Sequence, residues 1–438
     1  MNDLIIKSGN LVNPGGDISG VHDIYIKDWI IIGIDEDTTK LNSPEIIDAE
    51  DCIVCPGLVD LSVRFREPGL EKEATILSES KAAVSSGVTT VCYMPDTQPI
   101  IDTPAQIKLV EDIFKTVNLC KVKVLASLTK DLDGNRISPM MELKQAGAIA
   151  LTNCYNQIKD LLVLRRAMEY ASGHEITIFY QPQNNCLAND GCVHEGKISN
   201  KLWLPGIPSA AESIAVAEAI LLSKLTGVKL HLCRISCLES IMLIKDALST
   251  GIKVTADVAI HQLFFDENSI NNFNNDFHVM PPFRSSEDLA AIKSAISEKT
   301  ITAVCSDDQP HNEDAKQAPF SDSQFGIASI EILFQLIMEL VDLNIMDLNT
   351  AISKVTSNPA NILGIDAGII KKGSSADICI LKKEEWVFDR EKILSSGKNN
   401  PFIGKKFSSR VYKTICEGKI VYEHKSVSYT HLTLPTKA

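Results

Sequence analysis

Residues 56–69 read Pro56-Gly57-Leu58-Val59-Asp60-Leu61-Ser62-Val63-Arg64-Phe65-Arg66-Glu67-Pro68-Gly69. An apolar strand, Leu58 to Val63, runs into a polar turn closed by Pro68-Gly69. Ser62, Arg64 and Arg66 stand at i, i+2 and i+4, so an extended chain presents them on one face. Three polar side chains in register at the end of a buried strand mark a site.

Outward from this stretch the chain repeats a strand–loop–helix rhythm. Strand patterns fall at 58–63, 89–94, 121–127, 148–152, 176–181, 228–235, 252–258 and 301–306. Helical patterns lie between them at 76–86, 104–116, 160–172, 210–226, 238–250 and 287–298. Gly87, Gly173, Gly227 and Gly251 punctuate helix ends. Eight strands, each followed by a helical connection, predict an α/β protein with a (β/α)8 TIM-type barrel over residues 56–364. A long helix at 326–342 follows strand eight in this reading, and another spans 350–364.

The flanks differ. Residues 1–55 alternate short β-rich runs (Asp3 to Lys7, Asp23 to Lys27, Trp29 to Ile34) with turns such as Asn13-Pro14-Gly15-Gly16. Residues 365–425 return to β patterns at Ala376 to Leu381 and Arg410 to Val421, with Glu417-Gly418 as a hairpin turn. The two flanks are expected to be halves of one small β-sandwich domain. Residues 426–438 match neither pattern and are expected to be a non-native or disordered tail, which leaves His431 without a role.

Composition narrows the function. The chain has 438 residues, 45% hydrophobic and 23% charged, with a net charge of −13. An acidic chain without a basic block is a poor partner for nucleic acid or an anionic membrane. No apolar run approaches the roughly 18 residues of a spanning helix. Met1 to Gly16 lacks a basic region followed by an apolar core, so a cytoplasmic location is expected. The 12 cysteines are scattered, many in apolar strands, and read as reduced structural thiols. Cys52-x-x-Cys55 has no second pair at zinc-site spacing and lies in an extended segment, so it too reads as structural.

Ordered motifs now carry a resemblance. Phe65-Arg66-Glu67-Pro68-Gly69 follows strand one, and Tyr93-Met94-Pro95-Asp96-Thr97-Gln98-Pro99 follows strand two. His194-Glu195-Gly196, Leu204-Pro205-Gly206-Ile207-Pro208 and Ala211-Glu212 follow strand five. Met280-Pro281-Pro282-Phe283-Arg284 follows strand seven. Ser306-Asp307-Asp308-Gln309-Pro310-His311 follows strand eight, with Phe325-Gly326-Ile327 beyond it. Asn400-Pro401-Phe402-Ile403-Gly404 lies near the C-terminus. Up to about residue 425 the chain resembles the dihydroorotase family of the amidohydrolase superfamily. That resemblance implies a metal-dependent cyclic amide hydrolase converting carbamoyl aspartate and dihydroorotate, with an aspartate after strand eight shuttling the proton.

The positions that the resemblance assigns to metal ligands do not carry them. Strand one offers Ser62 and Arg64 in place of two histidines. Strand four offers Asn153, or Cys154 if the register slips by one. Strand five offers Gln181 and strand six Arg234. Only Asp307 complies. Zinc takes thiolate, neutral imidazole and carboxylate, whereas arginine has no lone pair to give. The family zinc is therefore expected to be absent and no cofactor is expected. Of the positions that the resemblance gives to substrate binding, Arg66 and His311 persist, Asp96 replaces a neutral amide and Met280 removes a polar side chain.

Plainer readings stand beside these. Asp307 is either a surviving general base or a structural anion paired with Arg64 or Arg234. The two arginines are either its counter-ions or an anion site of their own. His231 falls on the opposite face from Arg234, which favours a structural role, and His261 is assigned a local hydrogen-bonding one. A replacement metal site from Cys154, Cys233, His231 and Asp307 is the remaining alternative.

The resemblance is closest to the inactive pseudo-dihydroorotases that partner aspartate carbamoyltransferase. It implies a catalytically inactive structural partner of that enzyme in pyrimidine biosynthesis, as a hetero-oligomer. Two alternatives stay open: an active amidohydrolase with a relocated or metal-free site, and a carboxylate-sensing module that keeps Arg66 and His311.

Overall fold

The computed structural model describes residues 3–36, 41 and 43–424. At its centre are eight parallel strands: β1 (Leu58–Val63), β2 (Val88–Tyr93), β3 (Lys121–Ser127), β4 (Ala150–Thr152), β5 (Thr177–Tyr180), β6 (Leu230–Leu232), β7 (Val254–Ala259) and β8 (Ala303–Cys305). They are hydrogen-bonded neighbours in that order. The ring closes just past β8, where Arg64 N donates to Asp308 O at 3.0 Å and Asp308 N donates to Ser62 O at 3.2 Å. Every residue of β1 and β2 is buried, as parallel strands covered on both faces require. The result is a TIM-type barrel.

Local chemistry sets the helices around it. Thr75 and Ser285 form capping boxes that open Ile76–Ser85 and Ser286–Ser297. Ala210–Thr226 stops at Gly227, whose φ of +71° is open to glycine at no cost. All eight strands point the same way, so their C-terminal ends share one rim. Ser62, Asn153, Gln181, Arg234, His261 and Asp307 all sit at that rim, at or just beyond the ends of five different strands and the start of the turn after β7.

The flanks build a second sheet. Its strands run in the order Lys419–Glu423, Lys406–Cys416, Ile378–Val387, Cys52–Pro56, Leu4–Leu11, Gly20–Lys27, Ile30–Ile34, and Glu45–Asp48 also pairs with Leu4–Leu11. The seam between the two halves is the antiparallel pairing of Cys52–Pro56 with Ile378–Val387. Where two stacked sheets were expected, one hydrogen-bonded sheet curls over. Ile31 N donates to Ser374 O at 3.0 Å and Ala376 N to Trp29 O at 2.8 Å, which brings the far edge back. The curl encloses Ile6, Ile24, Ile31, Val54, Ile380 and Ile415 in a core of their own. The other face, with Cys55, Leu381 and Val411, joins the barrel core. Odd spacing therefore sends Cys52 and Cys55 into different cores. All twelve cysteines are free thiols, buried except Cys186.

Three connections depart from the expected pattern. The helix expected at 326–342 starts late, as a 3-10 turn Ile330–Ile332 continuing into Leu333–Asp342. Residues before it are extended because their backbone bonds to neighbouring loops: Gly326 N donates to His278 O and Ala328 N to Asn399 O. The helix expected at 350–364 is two helices, Leu348–Val355 and Ser357–Leu363, broken at Thr356. Pro359 explains the break, since it has no N–H and its ring crowds the Val355 carbonyl four residues back. Between β5 and the helix Ala210–Thr226 lies an unexpected insertion with a two-stranded ribbon, Val193–His194 on Gly206–Ile207. The tail at 426–438 lies outside the described residues. Among the described residues no helix is long and apolar enough to cross a membrane.

The β domain packs on the barrel at Gly87, whose φ is +84° and where a Cβ would stand 2.4 Å from Cys379 Sγ. A side chain there faces a left-handed backbone penalty and a crowded seam. Gly87→Ala is expected to lower the free energy of unfolding by about 2–4 kcal/mol, measured by chemical denaturation. A change within about 0.5 kcal/mol would show that the seam yields freely.

Candidate functional site

The rim is organised around Asp307, a fully buried carboxylate just beyond β8. Its Oδ1 accepts from Ser62 Oγ at 2.9 Å and from Arg64 Nη1 at 3.2 Å. Its Oδ2 accepts from Gln309 Nε2 at 3.0 Å, and the Tyr155 hydroxyl lies 3.3 Å away, shared with the Met280 carbonyl at 2.9 Å. Burial alone would raise the pKa of this acid. The Arg234 and Arg64 guanidiniums, with smaller help from His261 and Ser62, reverse that and hold it below the ordinary carboxylate range.

Arg64 is divided between two acids. Nε donates to Asp96 Oδ2 at 2.6 Å while Nη1 reaches Asp307, and the guanidinium lies over the Tyr155 ring at 5.0 Å. Asp96, unfavourable beside an anionic ligand, is here the counter-ion of the arginine that stands at a ligand position. Arg234 behaves differently. Its Nε comes only to 3.6 Å from Asp307 Oδ1, and none of its three nitrogens has a hydrogen-bond partner, although the residue is fully buried. Arg64 Nη2 and Gln181 Oε1 are likewise buried and unpartnered.

The remaining positions separate. Asn153 turns away: its Oδ1 accepts from Thr129 N at 3.2 Å and Thr129 Oγ1 at 2.7 Å, and its Nδ2 donates to Asn156 O. Cys154 is the strand-four residue that lies beside the two arginines. Arg66 and His311 engage each other rather than the rim centre. Arg66 Nη2 lies 3.0 Å from His311 Nε2, Arg66 Nε donates to Pro310 O at 3.0 Å, and His311 Nδ1 meets Glu73 Oε2 at 2.8 Å. Met280 contributes its backbone carbonyl, to Tyr155, rather than its side chain. His261 has both ring nitrogens unpartnered where a local hydrogen bond was expected, and burial pushes its pKa down to about 4. Glu73, Tyr155 and Gln309 were missed by the sequence reading. Gln309 carried a signal, since it stands two residues beyond Asp307 and bonds to it; Tyr155 did not, since Cys154, at φ +50°, breaks the strand alternation between it and Asn153.

His231, Cys233 and Asp257 form a buried group whose ligand atoms lie within 4.8 Å of one another. Its members are already engaged. His231 Nε2 meets Asp257 Oδ2 at 2.9 Å, His231 Nδ1 meets Thr255 Oγ1 at 2.8 Å, and Asp257 Oδ1 accepts from Arg234 N at 2.6 Å. Asp307 belongs to a different cluster, so the four-residue replacement site Cys154, Cys233, His231 and Asp307 is not assembled.

The donor set at the rim does not fit a divalent metal. The central carboxylate, Asp307, has two guanidiniums converging on its Oδ1, at 3.2 and 3.6 Å. A dication bound to that oxygen would meet positive charge from both sides and find hydroxyl, amide and thiol groups for its remaining ligands.

Comparison with known proteins follows this geometry. Residues 51–240 match the family model described as Dihydro-orotase-like, and residues 163–421 match that of the Amidohydrolase family. A "Dihydroorotase-like protein" of Pseudomonas putida is 35% identical over 95% of this chain and 98% of its own. A "Dihydroorotase" of Geobacter sp. (strain M21) is 33% identical over 96% and 99%. In three dimensions the L-hydantoinase (dihydropyrimidinase) of Arthrobacter aurescens superposes with a TM-score of 0.85 at 22% identity, covering 97% of this chain and 96% of that one.

Two predictions follow from the charges. Asp307→Asn strips the buried arginines of their shared anion and is expected to cost about 3–5 kcal/mol of stability. Ser62→Ala, which removes one neutral hydrogen bond, is expected to cost about 1 kcal/mol; equal losses for the two variants in denaturant titration would contradict the charge network. The second concerns Asp60, which accepts from Ser306 and from Ser62 N and whose pKa burial raises from 3.8 to about 7. The folded chain holds that proton more tightly than the unfolded one. The contribution is complete below about pH 4 and is lost as the pH climbs to 7, by about 4 kcal/mol at most. Asp60→Asn is expected to flatten the fall in stability across that window, and an unchanged slope would assign it to other acids.

Proposed function

Because the chain belongs to the dihydroorotase family of the amidohydrolase superfamily, we propose that it is a catalytically inactive dihydroorotase-like protein of pyrimidine biosynthesis and a structural partner of aspartate carbamoyltransferase in the cytoplasm. One observation carries the first half. Where the family mechanism needs lone pairs for a metal, Arg64 and Arg234 converge on Asp307. A carboxylate held by arginines neither polarises an amide carbonyl nor generates hydroxide, so the chemistry that the family performs has no agent here. The substrate side points the same way. Asp96 brings negative charge to the rim, and Arg66 is taken up by Pro310, His311 and Glu73.

The second half rests on what persists. The barrel, the curled β domain and the strand-end loops are all in place while the metal positions are not. A protein whose value lies in its surface keeps its core and loses its ligands. The partner itself comes from the family resemblance, and the association is a hetero-oligomer. The alternative of a relocated hydrolytic site has the His231–Cys233–Asp257 group as its best candidate. That group is buried inside the barrel with both imidazole nitrogens engaged, which leaves no open position for water or substrate. The sensing alternative survives in a narrower form, at the arginines rather than at Arg66 and His311.

Purified protein is expected to hold far less than one zinc per chain and to interconvert dihydroorotate and carbamoyl aspartate no faster than buffer. Co-expressed with the aspartate carbamoyltransferase of its own source, it is expected to co-elute as one assembly. Stoichiometric zinc with measurable turnover would overturn the inactive reading. A chain that elutes alone at concentrations where the transcarbamoylase is assembled would overturn the partnership.

A further inference from the structure

We propose that the rim of the barrel is a binding site for a small planar carboxylate-type anion, such as formate or bicarbonate, held by the Arg234 guanidinium with Arg64 and Gln181 beside it. The inference goes beyond the scaffold role and rests only on the reading that the rim holds no metal.

Arg234 carries the argument. It is fully buried, and Nε, Nη1 and Nη2 all lack a partner. A guanidinium offers five N–H donors in a fixed planar fork. Leaving them all unmade in a buried site is costly, and buried polar groups in folded proteins are rarely abandoned in this way. Asp307 is no remedy. Each of its oxygens already has two neighbours, and Arg234 Nε stops 3.6 Å short. Arg64 is the contrast, since two carboxylates satisfy it except at Nη2. Both arginines share the charge of Asp307, but only Arg64 is hydrogen-bonded to it, and the donors of Arg234 wait for a group that the chain does not supply.

The neighbouring unpartnered atoms define that group. The ladder between β5 and β6 carries Gln181 to the level of Cys233, one residue before Arg234: Tyr180 pairs with Leu232, and Cys233 N donates to Tyr180 O at 2.9 Å. Gln181 Oε1 is an acceptor without a donor, and the neutral His261 ring offers one donor and one acceptor from the β7 side. A carboxylate matches the guanidinium fork with two parallel hydrogen bonds. A ligand that also carries an O–H, as bicarbonate does, can donate to Gln181. Cys154 and Tyr155 line the approach, and Tyr155 with the partly exposed Asp96 marks its solvent side. The neighbouring cation, Arg64, is already paired with Asp96 and Asp307. This favours a monoanion of one or two carbons over phosphate or a dicarboxylate.

The test uses the full-length protein, assayed for zinc, and titrates sodium formate and sodium bicarbonate against sodium chloride at matched ionic strength. Formate or bicarbonate is expected to raise the unfolding midpoint saturably, as a ligand of the native state must. Arg234→Met is expected to weaken that response by about 10- to 100-fold, the loss of two charge-assisted hydrogen bonds. Arg234→Lys, which keeps the charge without the fork, serves if the methionine variant does not fold, and is expected to weaken it about tenfold. Line broadening of 13C-formate by the wild-type protein, reversed by unlabelled bicarbonate, supplies an independent readout. A zinc-free protein that answers both anions as it answers chloride overturns the site, as does an unchanged response in both Arg234 variants. Stoichiometric zinc in the same sample would instead overturn the metal-free reading beneath it.

Discussion

A carboxylate sealed inside a protein must be neutralised, and in this chain that requirement falls on Asp307. It sits at the seam where β8 meets β1, between Ser62 and Asp308, whose backbones close the barrel. In a metal-binding relative of this architecture a dication would balance such an acid. Here guanidiniums do so, because they supply positive charge and hydrogen-bond donors in one group and need no ligands of their own. The rest of the rim follows from that exchange. Once Arg64 stands at a ligand position, a second acid is useful, and Asp96 provides it at 2.6 Å. The substitution that looks hostile to an anionic substrate is the completion of a charge pair.

The exchange is incomplete at Arg234, and the incompleteness is informative. Two guanidiniums cannot both dock on one carboxylate oxygen that already accepts a hydroxyl. Arg64 wins Asp307 because it arrives from β1, adjacent to β8, whereas Arg234 arrives from β6, two strands around the ring. Ring position, and not residue type, decides which cation is satisfied. The same logic separates Arg66 from the centre. With its φ at +65° it leaves the strand line after Phe65 and is gathered by Pro310 O, His311 and Glu73.

Much of this was legible in the sequence, in proportion to how local the cause was. Apolar runs located the eight barrel strands and one-sided periodicity six of the surrounding helices, because burial writes itself directly into residue order. The helix at 350–364 was misread because apolar periodicity continues through Pro359 while the backbone hydrogen bond does not. The helix at 326–342 was placed early because its first residues bond to distant loops, which no local pattern records. At the rim, strand-end spacing brought out Ser62, Arg64 and Arg66, and the family resemblance added Gln181, Arg234 and Asp307. The resemblance could not choose between Asn153 and Cys154, since one residue of register reverses the face and only the Thr129 hydrogen bonds settle it. Glu73 carried no signal at all. It reaches His311 from the turn after β1 across 238 residues of sequence.

The network also bears on why such a site, once altered, stays altered. Restoring an imidazole at position 64 would release Asp96 and remove one of the two cations that hold Asp307 ionised. Restoring one at 234 would remove the other and leave the Asp307 carboxylate with a single donor cation. Either step taken alone gives a buried acid short of countercharge and still too few ligands to hold a metal that could replace it. The intermediate is poorer than both ends, so the arginine-filled rim is a separate minimum in sequence space rather than a partly eroded copy of the metal site. In that minimum both guanidiniums balance Asp307 by charge, while the N–H donors of Arg234 stay unused and are free for another ligand.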